Sequence, residues 1–384
     1  MQTMSTQRLY FVKSKTSQLW HVMENVIDKK HQMKSKLILA IAFFSALQLA
    51  KAQHHNTNKT AKWTSGRPDG HAPIGVMGDH AHQQGDWMFS YRSMVMQMEG
   101  NLSESDKISN GDIYSKYMVA PQEMRMNMRM FGVMYAPSDR ITLMVMTKYL
   151  DNKMEMLTTN SMMAMMRNVK FETASTGLGD TKVGALYTLY NKNRRAMHVN
   201  IGLSIPSGNL IETGSTPMSD PNEIRLGYTM QLGSGTWDPS LGVTYLKQYD
   251  VMSYGAQTTY LYRVGENEEG YTLGNKWNAT FWTARNFSKT VSVSARAEFN
   301  AISSIKGADK TFTDPMNSPV FDAANSGKIQ LDILFGINYG FFKGAFKGMR
   351  LEVEAGVPVY QYVQGVQMNQ TLVMTAGIQY SLGH

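Results

Sequence analysis

Two kinds of side chain in this sequence could do chemistry, thioethers and imidazoles. Methionines recur at alternate positions in three stretches: Met94, Met96 and Met98, then Met124, Met126 and Met128, then Met144 and Met146. Three histidines, His71, His80 and His82, lie in a segment with glycine and proline that precedes them. Thioethers are soft donors suited to Cu(I), and imidazoles also take Cu(II), so copper is the ion this set would hold. The plainer alternative is that methionine, a flexible side chain, fills gaps on any apolar surface where leucine would serve. Residue types alone leave both readings open. The methionines are concentrated, however, with 19 of the 31 falling between Met77 and Met166.

Other candidate chemistry is thin. The turns at 177–180 and 232–236 are glycine-rich, but neither opens a helix nor carries the Lys-Ser/Thr ending of a phosphate loop. Glu266, Glu268 and Glu269 form a small acidic loop, and no serine or histidine has the setting of a nucleophile. No catalytic residue and no cofactor other than copper is expected, and the chain is read as a non-enzyme.

The spacing of the methionines says what must position them. Stretches 87–98, 123–135 and 140–150 alternate with period two, the signature of a strand with two unlike faces. In the first, Arg92 shares the methionine face while Trp87, Phe89 and Tyr91 share the other. An arginine facing lipid at mid-depth costs about 2–4 kcal/mol, so the methionine face is assigned to a lumen. The third stretch agrees, with Ile141, Leu143, Val145 and Tyr149 opposite Met144, Met146 and Lys148. In the second, Arg125, Asn127 and Arg129 oppose the methionines, which places that end of the strand above the membrane. The methionines of all three stretches are then expected to converge at an outer mouth. Should the second stretch face the other way, its methionines would simply pack against lipid tails.

Further alternating segments follow at 181–190, 196–205, 223–232, 239–248, 251–263, 270–287, 289–302, 327–341, 347–360 and 369–382, while 151–179 is read as a long interval. Closed outer-membrane barrels of this type have an even strand count. Thirteen candidates are therefore one too many: one is a loop, or a further strand hides in 167–175. The expectation is an all-β fold, a transmembrane antiparallel β-barrel of about 12 to 14 strands. In the last strand, Leu372, Met374, Ala376, Ile378, Tyr380 and Leu382 make one face, and Thr371, Val373, Thr375, Gly377, Gln379 and Ser381 the other. Apolar outside and small or polar inside is what a bilayer requires of a barrel strand.

Composition supports one large β-domain: 384 residues, 32 glycines, 19 tyrosines, 11 prolines and no cysteine, hence no disulfide framework. The formal charge of +8 is concentrated at one end. Residues 1–52 carry eight Lys/Arg against two acids, leaving 30 basic and 28 acidic residues elsewhere. No basic stripe remains to bind nucleic acid. Residues 33–52 read as a signal peptide, with a charged start, a short apolar run from Leu37 and an Ala50-Lys-Ala52 cleavage site. Residues 1–32 read as an upstream extension, with Met33 as the start. Residues 53–84 read as an irregular, plug-like or periplasmic segment, and residues 85–384 as the barrel.

Three motifs in order, 177–187 (GLGDTKVGALY), 202–208 (GLSIPSG) and 231–245 (QLGSGTWDPSLGVTY), resemble the outer-membrane family named for the meta-pathway of phenol degradation, whose members are described as transporters. The resemblance spans roughly residues 70–384. It implies a barrel passing small, often apolar, molecules, and it supplies no catalytic residues. Together these readings predict a monomeric barrel in the outer membrane of a Gram-negative bacterium, seated in lipid and lipopolysaccharide and passively transporting or binding small solutes. The alternatives are copper handling at a methionine-rich mouth and a structural or adhesion role.

Overall fold

The computed structural model describes residues 62–159, 167–312 and 314–383. The signal segment, its cleavage site and Met162, Met163, Met165 and Met166 lie outside these residues. The wall is built from β1 (Trp87–Glu104), β2 (Val119–Ser138), β3 (Ile141–Thr158), β4 (Lys170–Leu178), β5 (Thr181–Lys192), β6 (Arg195–Ile205), β7 (Asp238–Gln248), β8 (Met252–Leu261), β9 (Lys276–Asn286), β10 (Val291–Ile302), β11 (Lys328–Gly340) and β12 (Met349–Leu382). Neighbours in sequence pair antiparallel, and β12 returns to pair with β1, so the sheet closes.

Eleven strands make the ring, with β4 a twelfth piece completing the crossing of β5. β4 pairs with the upper part of β3 (Leu157↔Lys170 to Tyr149↔Leu178), and β5 with the lower part (Met146↔Lys182 to Ile141↔Tyr187). β12 pairs with β11 through its first half and with β1 through its second. It folds back near Gly365, whose φ of 64° suits a residue without Cβ. The wall is therefore crossed twelve times, an even number within the expected range.

Two readings of the sequence need correction. Segment 223–232 is no wall strand: Glu223–Arg225 pairs only with Thr213–Ser215, and Tyr228–Met230 is a 3-10 turn. Its Leu226 and Met230 bury against Val119, Met124, Met154 and Met156 on the inner side of the wall instead of spanning it. Interval 151–179 is largely strand, because β3 runs on to Thr158 and β4 starts at Lys170. Its polar Asp151, Asn152, Lys153 and Glu155 hid it, although a strand above the bilayer has no need to be apolar.

One end of the barrel has short connections, such as the turn at Asn193 and Arg194, both with φ above 50°. The other end carries the long segments between β1 and β2, β6 and β7, β8 and β9, and β10 and β11. Outward positions form an apolar belt that includes Phe89, Phe131, Leu143, Val145, Ile201, Leu241, Phe335 and Ile337, all exposed. Tyr187, Tyr339 and Tyr380 stand at its short-turn edge. The last strand follows its predicted faces: Met374, Ile378 and Tyr380 are exposed, and Val373, Thr375 and Gln379 are buried. Because Val145 is 51% exposed at the middle of the belt, Val145→Arg is expected to cost about 2–4 kcal/mol in urea unfolding from lipid vesicles. A cost near zero would show that this face does not meet hydrocarbon.

Candidate functional site

The inward parity of the strands settles where the sequence-predicted residues go. On β1, Met88 and Arg92 are buried and Met94, Met96 and Met98 half-buried, while Trp87, Phe89 and Tyr91 are exposed. On β2, Met124, Met130 and Met134 are buried, with Arg125 and Arg129 exposed on the opposite face. The methionines thus line the lumen, and registration sets them side by side: Met94↔Met128, Met96↔Met126 and Met98↔Met124↔Met154. Near the long-loop end, Met124, Met154, Met156 and Met230 pack with Val119 and Leu226, with Met98, Met126, Phe171, Val320 and Met368 at the edge. A pocket of about 490 Å³ of space not filled by atoms borders Met154, Met156, Met230, Leu226 and Phe321.

The expected single convergence is corrected. Met144 and Met146 are not at that mouth. They join Met88, Met134 and Leu186 in a second cluster toward the short-turn end. The reason is strand direction: β3 enters at Ile141 from the short turn, so its early residues sit low, paired as Met134↔Met144.

Residues 62–86 run inside the ring from its short-turn end, and this segment organises the lumen. It is irregular, so its backbone groups find their partners on wall side chains rather than on a ladder, as buried amides and carbonyls must. The Trp63 amide donates to Asn191 Oδ1 (2.8 Å), and Thr64 exchanges two bonds with the Gln248 side chain (3.0 and 2.6 Å). The Arg350 guanidinium donates to the carbonyls of Ser65, Arg67 and Pro68, each at 2.9 Å. The Pro68 carbonyl also accepts from Ser292 Oγ (2.8 Å) and Asn338 Nδ2 (3.0 Å). Higher up, the Gly78 carbonyl accepts from His198 Nε2 (3.0 Å), Asn200 Nδ2 and Gln257 Nε2 (both 3.3 Å). The chain then returns, with the His82 amide on Thr142 Oγ1 (3.0 Å) and the Gln84 amide on Asp139 Oδ1 (2.9 Å). These strand partners come from β3, β5 to β8 and β10 to β12, and Asn286 of β9 donates to Asp69 Oδ1 (2.9 Å).

At the crest the segment rests on a buried ion pair. Arg296 donates from Nε and Nη2 to both oxygens of Glu354 (2.8 Å each), and Glu298 approaches Nη1 at 3.0 Å. Glu354 Oε2 also accepts the Gly75 amide at 3.2 Å. A Cβ on residue 75 would collide with both members of the pair, which is why glycine stands there.

The three predicted histidines come together within this segment. The rings of His71 and His80 lie 4.0 Å apart, and those of His80 and His82 4.7 Å apart, measured between centroids. Asp79 Oδ2 sits 3.0 Å from His80 Nδ1 and accepts the Ala72 amide at 2.9 Å. Burial, then the nearby Arg350 and His80 charges, hold His71 well below the ordinary imidazole range. Burial and then His80 pull His82 down to about 3. Both are neutral imidazoles at neutral pH.

Of the lysines above this segment, sequence periodicity placed only Lys148 on the lumen face. Lys148, Lys182, Lys276 and Lys328 all stand at inward positions, and Lys276 is solvent-exposed there. Lys276 lies within electrostatic reach of Lys148, Arg263, Lys328 and Asp180. The available signal was parity: Lys182, Lys276 and Lys328 fall on the face opposite the apolar positions of their strands.

The three sequence motifs also meet in space. Asp180 Oδ1 accepts the Gly208 amide (3.2 Å) and Oδ2 the Ser234 amide (3.0 Å), while Ser207 Oγ donates to the Gly179 carbonyl (3.1 Å). Gly208 and Gly233 pass so closely that a Cβ on either would strike the other's backbone.

No family profile and no curated protein matches the chain. Solved structures do. An outer membrane channel from Pseudomonas putida F1 aligns with TM-score 0.53 at 12% identity, covering 80% of this chain and 99% of the other. A Pseudomonas aeruginosa FadL homologue gives 0.39 at 8% identity, covering 77% and 90% respectively. A structure described as the CymD monoaromatic hydrocarbon channel gives 0.41 at 8% identity, covering 79% and 90%. The likeness to the first is one of fold, the outer-membrane β-barrel.

Proposed function

We propose that this barrel is a passive channel for small solutes in the outer membrane of a Gram-negative bacterium, with residues 62–86 as its plug. One observation carries the reading: a closed wall with a polar interior admits a segment of its own chain at one end and holds it by hydrogen bonds and by the packing of Trp63, Ala72 and Val76 against Ala196, Leu246 and Trp282. Such a hold can be reversed without breaking a covalent bond, since the chain has no cysteine. The lysines above the plug favour anionic over cationic solutes by focusing positive potential in a narrow, low-dielectric passage. Resemblance of the three motifs to the phenol-pathway family supports small organic molecules as cargo, carried by a monomer seated in lipid and lipopolysaccharide.

The test is conductance in planar bilayers, comparing the full chain with a variant lacking residues 64–82. The expected result is small, fluctuating conductance for the first and a several-fold larger, steady one for the second, with reversal potentials favouring anions. Absence of conductance from both would end the channel reading.

Copper handling by the upper methionines is a second reading, supported by their register on three adjacent strands. Changing Met94, Met96, Met124, Met126 and Met128 together to Leu keeps volume and apolarity, so the barrel should fold. Loss of Cu(I) binding would favour the metal role. Equal binding would leave these residues as packing, Met124 and Met126 in the cluster that holds Val119, Leu226 and Val320.

A further inference from the structure

The buried histidines of the inserted segment have a feature the channel reading does not use. His80 is fully inaccessible, and His71 and His82 are 6% and 7% exposed. Yet His71 Nδ1, His80 Nε2 and His82 Nε2 have no hydrogen-bond partner among the described residues. Leaving a buried polar atom unpaired costs about 1–3 kcal/mol, and native proteins keep few of them without a reason. Three in contact, all imidazole nitrogens, with a carboxylate beside them, form a donor set.

We propose that His71, Asp79 and His80 form a binding site for a borderline divalent transition-metal cation, of the zinc or copper(II) type, with His82 adjacent as a further nitrogen donor. One ligand atom from each of the three residues lies within 4.8 Å of the other two. Ligands held at about 2.0–2.2 Å around one ion stand roughly 3–4 Å apart, so closing the set takes a movement on the order of 1 Å. Rotation of the imidazoles supplies that. Nitrogen and carboxylate donors select this class of ion over calcium or magnesium, which take oxygen ligands.

The placement gives the site a structural consequence. His71 lies on the entering limb of the segment, and Asp79 and His80 lie just past Gly78 on the returning limb. One ion would tie the two limbs together beneath the crest. The rings also sit beside Trp63, whose centroid is 5.9 Å from that of His80, so the bound ion would be shielded from bulk water. The site needs no assumption about what the barrel transports.

The experiment is titration of metal-free, full-length protein in detergent with Zn2+ and with Cu2+, followed by calorimetry. Because His54 and His55 also lie in the chain, H54Q/H55Q is the reference protein. One tight equivalent is expected in wild type and in H54Q/H55Q alike. H71Q/H80Q should bind more than about 100-fold more weakly, since outer-shell partners alone are worth ~10–100-fold. The shift in gel mobility between unheated and heated samples reports whether each variant has folded. If H71Q/H80Q does not fold, zinc-edge X-ray absorption on H54Q/H55Q decides, with two or more imidazole scatterers expected. Wild type binding no more tightly than H71Q/H80Q, binding lost in H54Q/H55Q, or an all-oxygen shell would each overturn the site.

Discussion

Arg296→Met is expected to lower the unfolding free energy of the barrel by about 3–5 kcal/mol, the range for removing one partner of a buried ion pair. Arg296 is about 3% exposed in its side chain and Glu354 about 1%, so solvent does not screen the loss. Among the described residues, the Arg296 guanidinium is the one cation paired with both Glu298 and Glu354. Without it two carboxylates face each other across a low-dielectric site. Glu354→Gln should cost less, about 1–3 kcal/mol, because Arg296 keeps Glu298 and the amide can still receive a bond. The double variant should fall well short of the sum, since residues in one network couple. Urea unfolding from vesicles measures all three. The same variants should raise channel conductance, because the Gly75 amide loses its seat on Glu354. Arg296→Met within about 0.5 kcal/mol of wild type would show that the pair does not anchor the segment.

That pair shows where reading the sequence stopped. Facing was legible because arginine and methionine fell on one parity of β1 and aromatic residues on the other, and the bilayer penalises the reverse arrangement. The same parity holds Arg296, Glu298, Glu352 and Glu354 inward, but parity says nothing about which charges meet across the lumen. Strand ends were missed where β3 rises above the lipid, because the apolar face that betrays a strand is dictated by lipid and ends with it. Segment 223–232 erred the other way, for apolar residues of a loop packed on the lumen methionines mimic those of a wall strand. The inserted segment was visible as irregular, rich in glycine and histidine. Its path was not, because its backbone bonds go to side chains more than a hundred residues away, such as Asn191 and Arg350. His71 and His80 are nine positions apart, and only the turn of the chain at the crest brings their rings to 4.0 Å.

Asp238→Ala should have an effect of comparable size, expressed at the other end of the barrel. Asp238 is fully buried at the start of β7. Its Oδ1 accepts the Thr236 hydroxyl (2.8 Å) and the Val264 amide (3.2 Å), and its Oδ2 takes Arg263 Nη1. Removing it leaves the Arg263 guanidinium, about 6% exposed in its side chain, without its carboxylate partner, at a cost of about 3–5 kcal/mol. Asp238→Asn keeps an acceptor and the shape, so it should lose less, about 1–3 kcal/mol. The strain should be released locally, because the segments before β7 and after β8 carry few ladder bonds and belong to the less stable part of the fold. Trypsin cleavage after Arg263 should therefore quicken in Asp238→Ala before the wall itself unfolds, and less so in Asp238→Asn. Equal cleavage in wild type and both variants would mean that the wall strands alone hold these loops, and that the meeting of the three motifs is a consequence of the barrel's shape and not a cause of its order.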